Sequence, residues 1–260
     1  DSAVDSIIFS NVANFAATTL DGDKTVNSIR FSTLDSTNYS INGGILTIKT
    51  GALTRDTSAG RSTQTVNSAI ILGANAIWNI NGNNSTSSIV RINGSIGDGG
   101  NGYGLTMTGS RLLWLYGNNT YSGPTIFDVD AASGGFVLFG SNATCAIINR
   151  SSNSLASMTI NGICPGATNV TFSAGRIVVY TNALIPNATL RFDGGALSSG
   201  NTLQTLNFTN PIILMSGGVE LEGSANIILR GDIVLNSNRI FTIATARNDT
   251  LQSFRGVISD

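Results

Sequence analysis

The chain has 260 residues, of which 41% are hydrophobic and only 11% charged; 14 Lys and Arg stand against 15 Asp and Glu, with no His, for a formal net charge of −1. Gly, Ser, Asn and Thr fill 117 positions while Lys and Glu occur twice each, so the chain lacks the residues that build helices and is rich in those that favour strands and turns. This excludes a helical bundle, a coiled coil and a doubly wound α/β enzyme, leaves no basic patch for nucleic acid, and provides no apolar run of about 18 residues to insert in a membrane as a helix.

In chain order, Asp1-Ser2-Ala3-Val4 has neither a basic nor an apolar leader region and reads as the start of a mature or excised chain. Val4 to Phe9 is strand-like. Short alternating runs follow at Ile45–Ile48, Leu112–Leu115, Phe136–Phe139, Met158–Ile160, Ile177–Val179, Ala188–Phe192, Ile227–Leu229 and Arg239–Ile243. Each is apolar at alternate positions and bounded by Gly, Asn or Ser, the pattern of a short strand. No window keeps a helical period over several turns.

The punctuation also recurs. Gly-Gly followed by a short strand stands at Gly43-Gly44, Gly134-Gly135, Gly194-Gly195 and Gly217-Gly218, with Ala174-Gly175 as a weaker copy. Gly175 and Gly195 lie one short unit apart, Gly195 and Gly218 slightly more, and Gly135 and Gly175 twice as far, or two units. A unit of about 20–25 residues with two or three strands is one coil of a β-solenoid. Coils stacked about 4.8 Å apart pair each strand with the coil above and below. Inward positions then form apolar ladders, and stacked like charges are avoided. The reading is one elongated all-β domain over residues 1–260, a parallel β-solenoid of about 11–12 coils. A β-sandwich or jelly roll is the competing architecture, and it predicts no fixed repeat.

The most specific stretch is Leu105-Thr106-Met107-Thr108-Gly109-Ser110-Arg111-Leu112-Leu113-Trp114-Leu115-Tyr116-Gly117-Asn118-Asn119-Thr120-Tyr121-Ser122-Gly123-Pro124-Thr125. It resembles the autotransporter-associated β-strand repeat, matching at Leu105, Thr106, Thr108, Gly109, Leu113, Leu115, Gly117, Asn119, Thr120, Tyr121, Gly123 and Thr125. Met107 and Arg111-Leu112 depart from its pattern. Asn93 to Gly100 and Arg255 to Asp260 look like the segment that commonly precedes that repeat. The resemblance implies a right-handed parallel β-helix, secreted or displayed on a bacterial surface, and a non-catalytic stalk, passenger or shell.

The chemistry available is narrow. Without His, Ser-His-Asp and Cys-His nucleophilic sites cannot form, and two Cys are too few for a structural zinc. Nothing points to a cofactor. Carboxylates pair at Asp21/Asp23, Asp128/Asp130 and Glu220/Glu222, and residues i and i+2 of a strand face the same way. A β-helical polysaccharide-degrading enzyme would use such acids, often with a basic residue or Ca²⁺, and a Ca²⁺ site is a separate reading for which no calcium-loop motif is present. The bland reading is solvated surface or turn. The separation of Cys145 and Cys164 is close to one coil, so they are either a disulfide between adjacent coils or two small core residues. Trp114 and Tyr116 alternate with Leu113 and Leu115 and so point outward, to stack on a sugar, to meet a protein partner, or to lie under a loop. Ile7, Ile8 and Phe9 at one end, and Phe254, Val257 and Ile258 at the other, carry no charged cap.

Uncapped strand edges template another chain, and contacts that do not close make filaments. The expected function is a non-catalytic extracellular structural protein that forms a stalk or associates head-to-tail with itself or with adjoining repeats. The alternatives are an adhesin or carbohydrate-binding passenger domain, and then a polysaccharide-degrading enzyme.

Overall fold

The structure, a computed structural model, describes residues 5–10, 17–32, 37–56, 62–82, 88–181, 185–200, 205–215, 217–223, 225–236 and 252–259. Among them are 27 strands and no helix. Most strands follow the alternation seen in the sequence, and the pairing joins each one to strands about one unit away, always in parallel.

A first sheet stacks Ile7–Ser10, Lys24–Ser32, Ile45–Arg55, Ala76–Ile80, Leu105–Gly109, Thr125–Phe127, Ala146–Arg150, Asn169–Ala174, Thr189–Phe192, Ile212–Leu214, Ile233–Leu235 and Ile258–Ser259, in that order. A second stacks Ala17–Thr19, Ser40–Asn42, Thr63–Val66, Ile89–Ile92, Leu112–Leu115, Gly135–Leu138, Ser157–Ile160, Arg176–Val179, Ala196–Ser199 and Glu220–Gly223. A third side is more broken. The first half of Ile45–Arg55 pairs with Ala69–Leu72, which pairs with Ile96–Gly97. Asn119 bridges Asn142, and Leu206–Phe208, Ile227–Leu229 and Gln252–Phe254 form the last stretch. The chain visits the three sides in turn, which is a β-solenoid; two sheets clasped face to face would not give this order.

The ten strands of the second sheet bound about nine complete turns with both faces described, while the first sheet extends to twelve rungs. The expected 11–12 coils are thus more than the described turns, which number about nine. The step from turn to turn is also less even than the glycine pairs suggest. Trp78 pairs with Met107 across a long step, and Met107 pairs with Phe127 across a short one. The long turn carries the loop from Asp98 to Gly104. The expected strand at Arg239–Ile243 lies outside the described residues.

Inward side chains stack rung on rung. On the first sheet Leu53, Trp78, Met107 and Phe127 follow one another, and further along Phe172 and Phe192 stack with ring centroids 4.4 Å apart. On the second, Val66, Ile92, Leu115, Leu138, Ile160 and Val179 form one buried column. Each large side chain removed from water contributes roughly 1.5–3 kcal/mol, and stacking provides the cover that a lone coil lacks.

The corner between the second and third sides is set by glycine. Gly94, Gly117, Gly140 and Gly162 stand one above the other, and a Cβ on any of them would overlap the carbonyl oxygen of the residue one turn earlier: Ser68, Gly94, Gly117 and Gly140 respectively. Beside this column Asn93 donates to Asn67 at 2.7 Å and Asn67 to Asn42 at 2.6 Å, an amide ladder along the axis. The Gly-Gly pairs do not mark one corner. Gly43-Gly44 leads into the third side, whereas Gly134-Gly135, Gly194-Gly195 and Gly217-Gly218 lead into the second.

Candidate functional site

The residues of the 105–125 stretch serve the turns themselves. Asn119 is buried, and its side-chain oxygen accepts the Ile96 N–H of the previous turn at 3.0 Å. The Tyr121 hydroxyl lies inside the solenoid, 2.6 Å from Thr125 Oγ1, and accepts from Asn142 Nδ2 at 2.9 Å. Burial pushes its pKa up to about 12, against the hydrogen bonds from Thr125 and Asn142. Arg111, a departure from the repeat pattern, is nearly buried in a turn and donates to Gly82 O and Ser133 Oγ, on the turns before and after its own. Asp98, in the preceding segment, accepts from the N–H groups of Gly100, Gly102 and Ser122 at 3.0, 2.8 and 3.2 Å. Burial alone would raise its carboxyl, but these donors outweigh it and hold the group below the usual carboxylate range.

Trp114 and Tyr116 point outward, as expected, with Leu113 and Leu115 buried beneath them. What covers them is a neighbouring side chain on either side. Tyr116 stacks on Phe139 of the next turn, centroids 4.3 Å apart and planes 6° apart, and Trp114 meets both rings edge-on. From the turn before, Arg91 lies over Trp114 and Tyr116 at 5.3 and 5.4 Å. Tyr116 is thus sandwiched between Arg91 and Phe139, and one face of Trp114 is taken by Arg91. Such contacts stabilise by about 0.5–1.5 kcal/mol each, so the cluster staples three turns. Stacking on a sugar would compete with these contacts.

The three carboxylate pairs fare differently. Asp21 binds Lys24 at 2.5 Å, and Asp23 accepts the Ile45 N–H at 2.8 Å, so this pair closes a turn. Glu222 meets Arg176 at 2.6 Å, reaching across the intervening turn and over Ser198. Burial raises the Glu222 carboxyl, Arg176 lowers it, and the neighbouring Glu220 raises it further, with a net upward shift. Asp128 accepts from Arg150 Nε and Nη2 at 3.0 and 2.9 Å, while Asp130 is exposed. Asp128 and Asp130 also border an open depression of about 440 Å³ on the outer side of the first sheet, together with Asn79, Asn81, Thr108 and Ser152. Among the described residues no three His, Cys, Asp or Glu side chains are placed to hold a metal ion.

Cys145 and Cys164 are both free, so the structure does not form the disulfide that was one of the two sequence readings. The local register pairs Ala146 with Asn169, and the residue stacked on Cys145 is Thr168, whose N–H donates to Cys145 O at 2.9 Å. Cys164 lies just ahead of that position, separated from Thr168 by Pro165, Gly166 and Ala167. It is buried, as the small-core reading has it, while Cys145 is exposed at a corner. Burial pushes the Cys164 thiol up to about 12, which removes the reactive thiolate. Titration with a thiol reagent should therefore find one reactive cysteine in the native protein and two in denaturant. Two slow thiols, or none after denaturation without reductant, would contradict this placement.

At the ends, Ile7 and Phe9 are half-buried and packed against the core, with Phe9 stacked 5.1 Å from Phe31, and Ile8 is exposed. Phe254 is half-buried, whereas Val257 and Ile258 are 71% and 57% exposed. Comparison of the chain with family models, with curated proteins and with solved structures finds no match.

Proposed function

We propose that this chain is a non-catalytic structural β-solenoid of the autotransporter-associated repeat type, displayed outside the cell. In this reading it acts as a stalk whose end rungs stack on a further turn, either of a second copy or of adjoining repeats. The observation that carries the reading is the uncovered end rung. Along the flanks, outward polar side chains are engaged from turn to turn: Arg30 with Asp56, Arg150 with Asp128, Arg176 with Glu222, and the Asn42–Asn67–Asn93 ladder. At the Ile258–Ser259 rung, the side chains of Val257 and Ile258 lie uncovered, and among the described residues no strand pairs with its outer edge. A rung of this kind is completed by another parallel rung, which supplies both the missing hydrogen bonds and the missing cover.

Light scattering and electron micrographs of the purified 1–260 chain over a wide concentration range test this. The expected result is rods that lengthen with concentration, and loss of lengthening on Val257→Lys with Ile258→Lys. A strict monomer at high concentration, or lengthening unaffected by the two lysines, would defeat the end-to-end contact.

A further inference from the structure

The depression on the first sheet is built by four successive turns. Asn79 pairs with Thr108 across one rung, the Asp128 N–H bonds Met107 O on the next, and Asp128 is held by Arg150 on the one after. Four rungs span about 14 Å along the axis at the usual strand spacing. Gly109 lines the depression at a φ of +97°, and a Cβ there would crowd the Asn79 side chain and the Ile80 carbonyl of the turn before. We propose that this depression binds a neutral, hydroxyl-rich chain, a glycan lying along the solenoid axis.

Its volume falls within the ordinary range of ligand sites, but its lining does not, because such sites are mostly apolar. Here the walls are amides, hydroxyls and carboxylates. Both donors and acceptors are present, as the paired hydroxyls of a sugar ring require. The groups are also pre-oriented. The Arg150 fork fixes Asp128, and Asn81 Nδ2 donates to Asn79 Oδ1 at 2.8 Å, which sets both amide planes. Two carboxylates against one guanidinium disfavour a phosphate or a uronate and leave a neutral ligand. Earlier on the same strands, and on the same face, Ile77, Ile126 and Ile148 also point outward, giving an aliphatic border for the C–H face of a sugar. The rung repeat is of the same order as the length of one pyranose unit, so successive turns can meet successive sugars. Among the described residues no aromatic ring lines the depression, so the binding is weak and gains from ligand length. This site lies on a different flank from the Trp114 cluster and does not depend on the stalk reading.

The test is a calorimetric and NMR titration of the full chain with cello-, laminari-, manno- and xylo-hexaose, with polygalacturonate as the anionic control. Saturable binding of at least one neutral hexaose is expected, weakened about tenfold or more by Asp130→Ala because a charged hydrogen-bond partner is lost. Thr108→Val should weaken it further, and Trp114→Ala should leave it unchanged. Asp130 is exposed, so its variant should melt as the parent does. No binding by any of the four hexaoses would overturn the proposal. So would binding that survives both groove variants, binding lost on Trp114→Ala, or preference for the polyuronate.

Discussion

Alanine at Gly140 should destabilise the solenoid by at least about 3 kcal/mol, at the upper end of what overpacking a rigid site costs. The added Cβ would overlap the Gly117 carbonyl oxygen and lie 2.6 Å from both the Gly117 carbonyl carbon and the Tyr116 oxygen. These are backbone atoms, which cannot swing aside as a flexible side chain can. Nor can the lower turn retreat, because Gly117 is pressed in the same way on Gly94, and Gly94 on Ser68. The φ of Gly140 is not positive, so the cost comes from the approach of two turns and not from a left-handed backbone. Gly100→Ala separates the two effects. Its φ is +81° with nothing within 4 Å of the added carbon, and it should cost only about 1–2 kcal/mol. Urea unfolding followed by circular dichroism compares them. Equal losses at the two positions would mean that the turns are not in close contact at this corner.

That column of single glycines was written in the sequence but is easy to pass over. Gly94, Gly117, Gly140 and Gly162 recur at almost equal intervals, a steadier period than the Gly-Gly pairs give. A pair of glycines attracts notice because it suits a left-handed turn, and different corners of one coil can each need one. A single glycine that answers a close approach carries the period of the stack. The strands themselves were legible, since alternation alone placed Leu113 and Leu115 inside and Trp114 outside. What alternation cannot reveal is which outward residues meet along the axis. Arg91, Tyr116 and Phe139 come together only once the register is known, and Arg176 finds Glu222 by skipping a turn. The same holds for the site. Asp128 and Asp130 were visible as a pair, but the amides, Thr108 and Arg150 that complete the depression lie on other turns. The cysteine spacing misled because it is a few residues shorter than one coil, and the local step brings Thr168, not Cys164, onto Cys145.

The second large effect concerns the interior. Trp78 is fully buried between Leu53 and Met107, and its Nε1–H donates to Gly51 O at 3.0 Å, one turn earlier. Trp78→Ala should cost about 3–5 kcal/mol through the cavity left in the column. Trp78→Phe keeps most of the packing and should cost about 1–3 kcal/mol for the unpartnered Gly51 carbonyl and the lost volume. Position also matters, because a solenoid is held by nearest-neighbour contacts. On the first sheet three rungs precede Trp78 and eight follow it, and the step from Trp78 to Met107 is the long one that carries the Asp98–Gly104 loop. A cavity here weakens the link between a short stack and a long one. Hydrogen exchange on the alanine variant should therefore show the amides of Lys24–Ser32 and Ile45–Arg55 losing protection well before those of Asn169–Ala174 and Thr189–Phe192. If both groups of amides exchange together, the stack opens as one unit and the nearest-neighbour account of its stability is wrong.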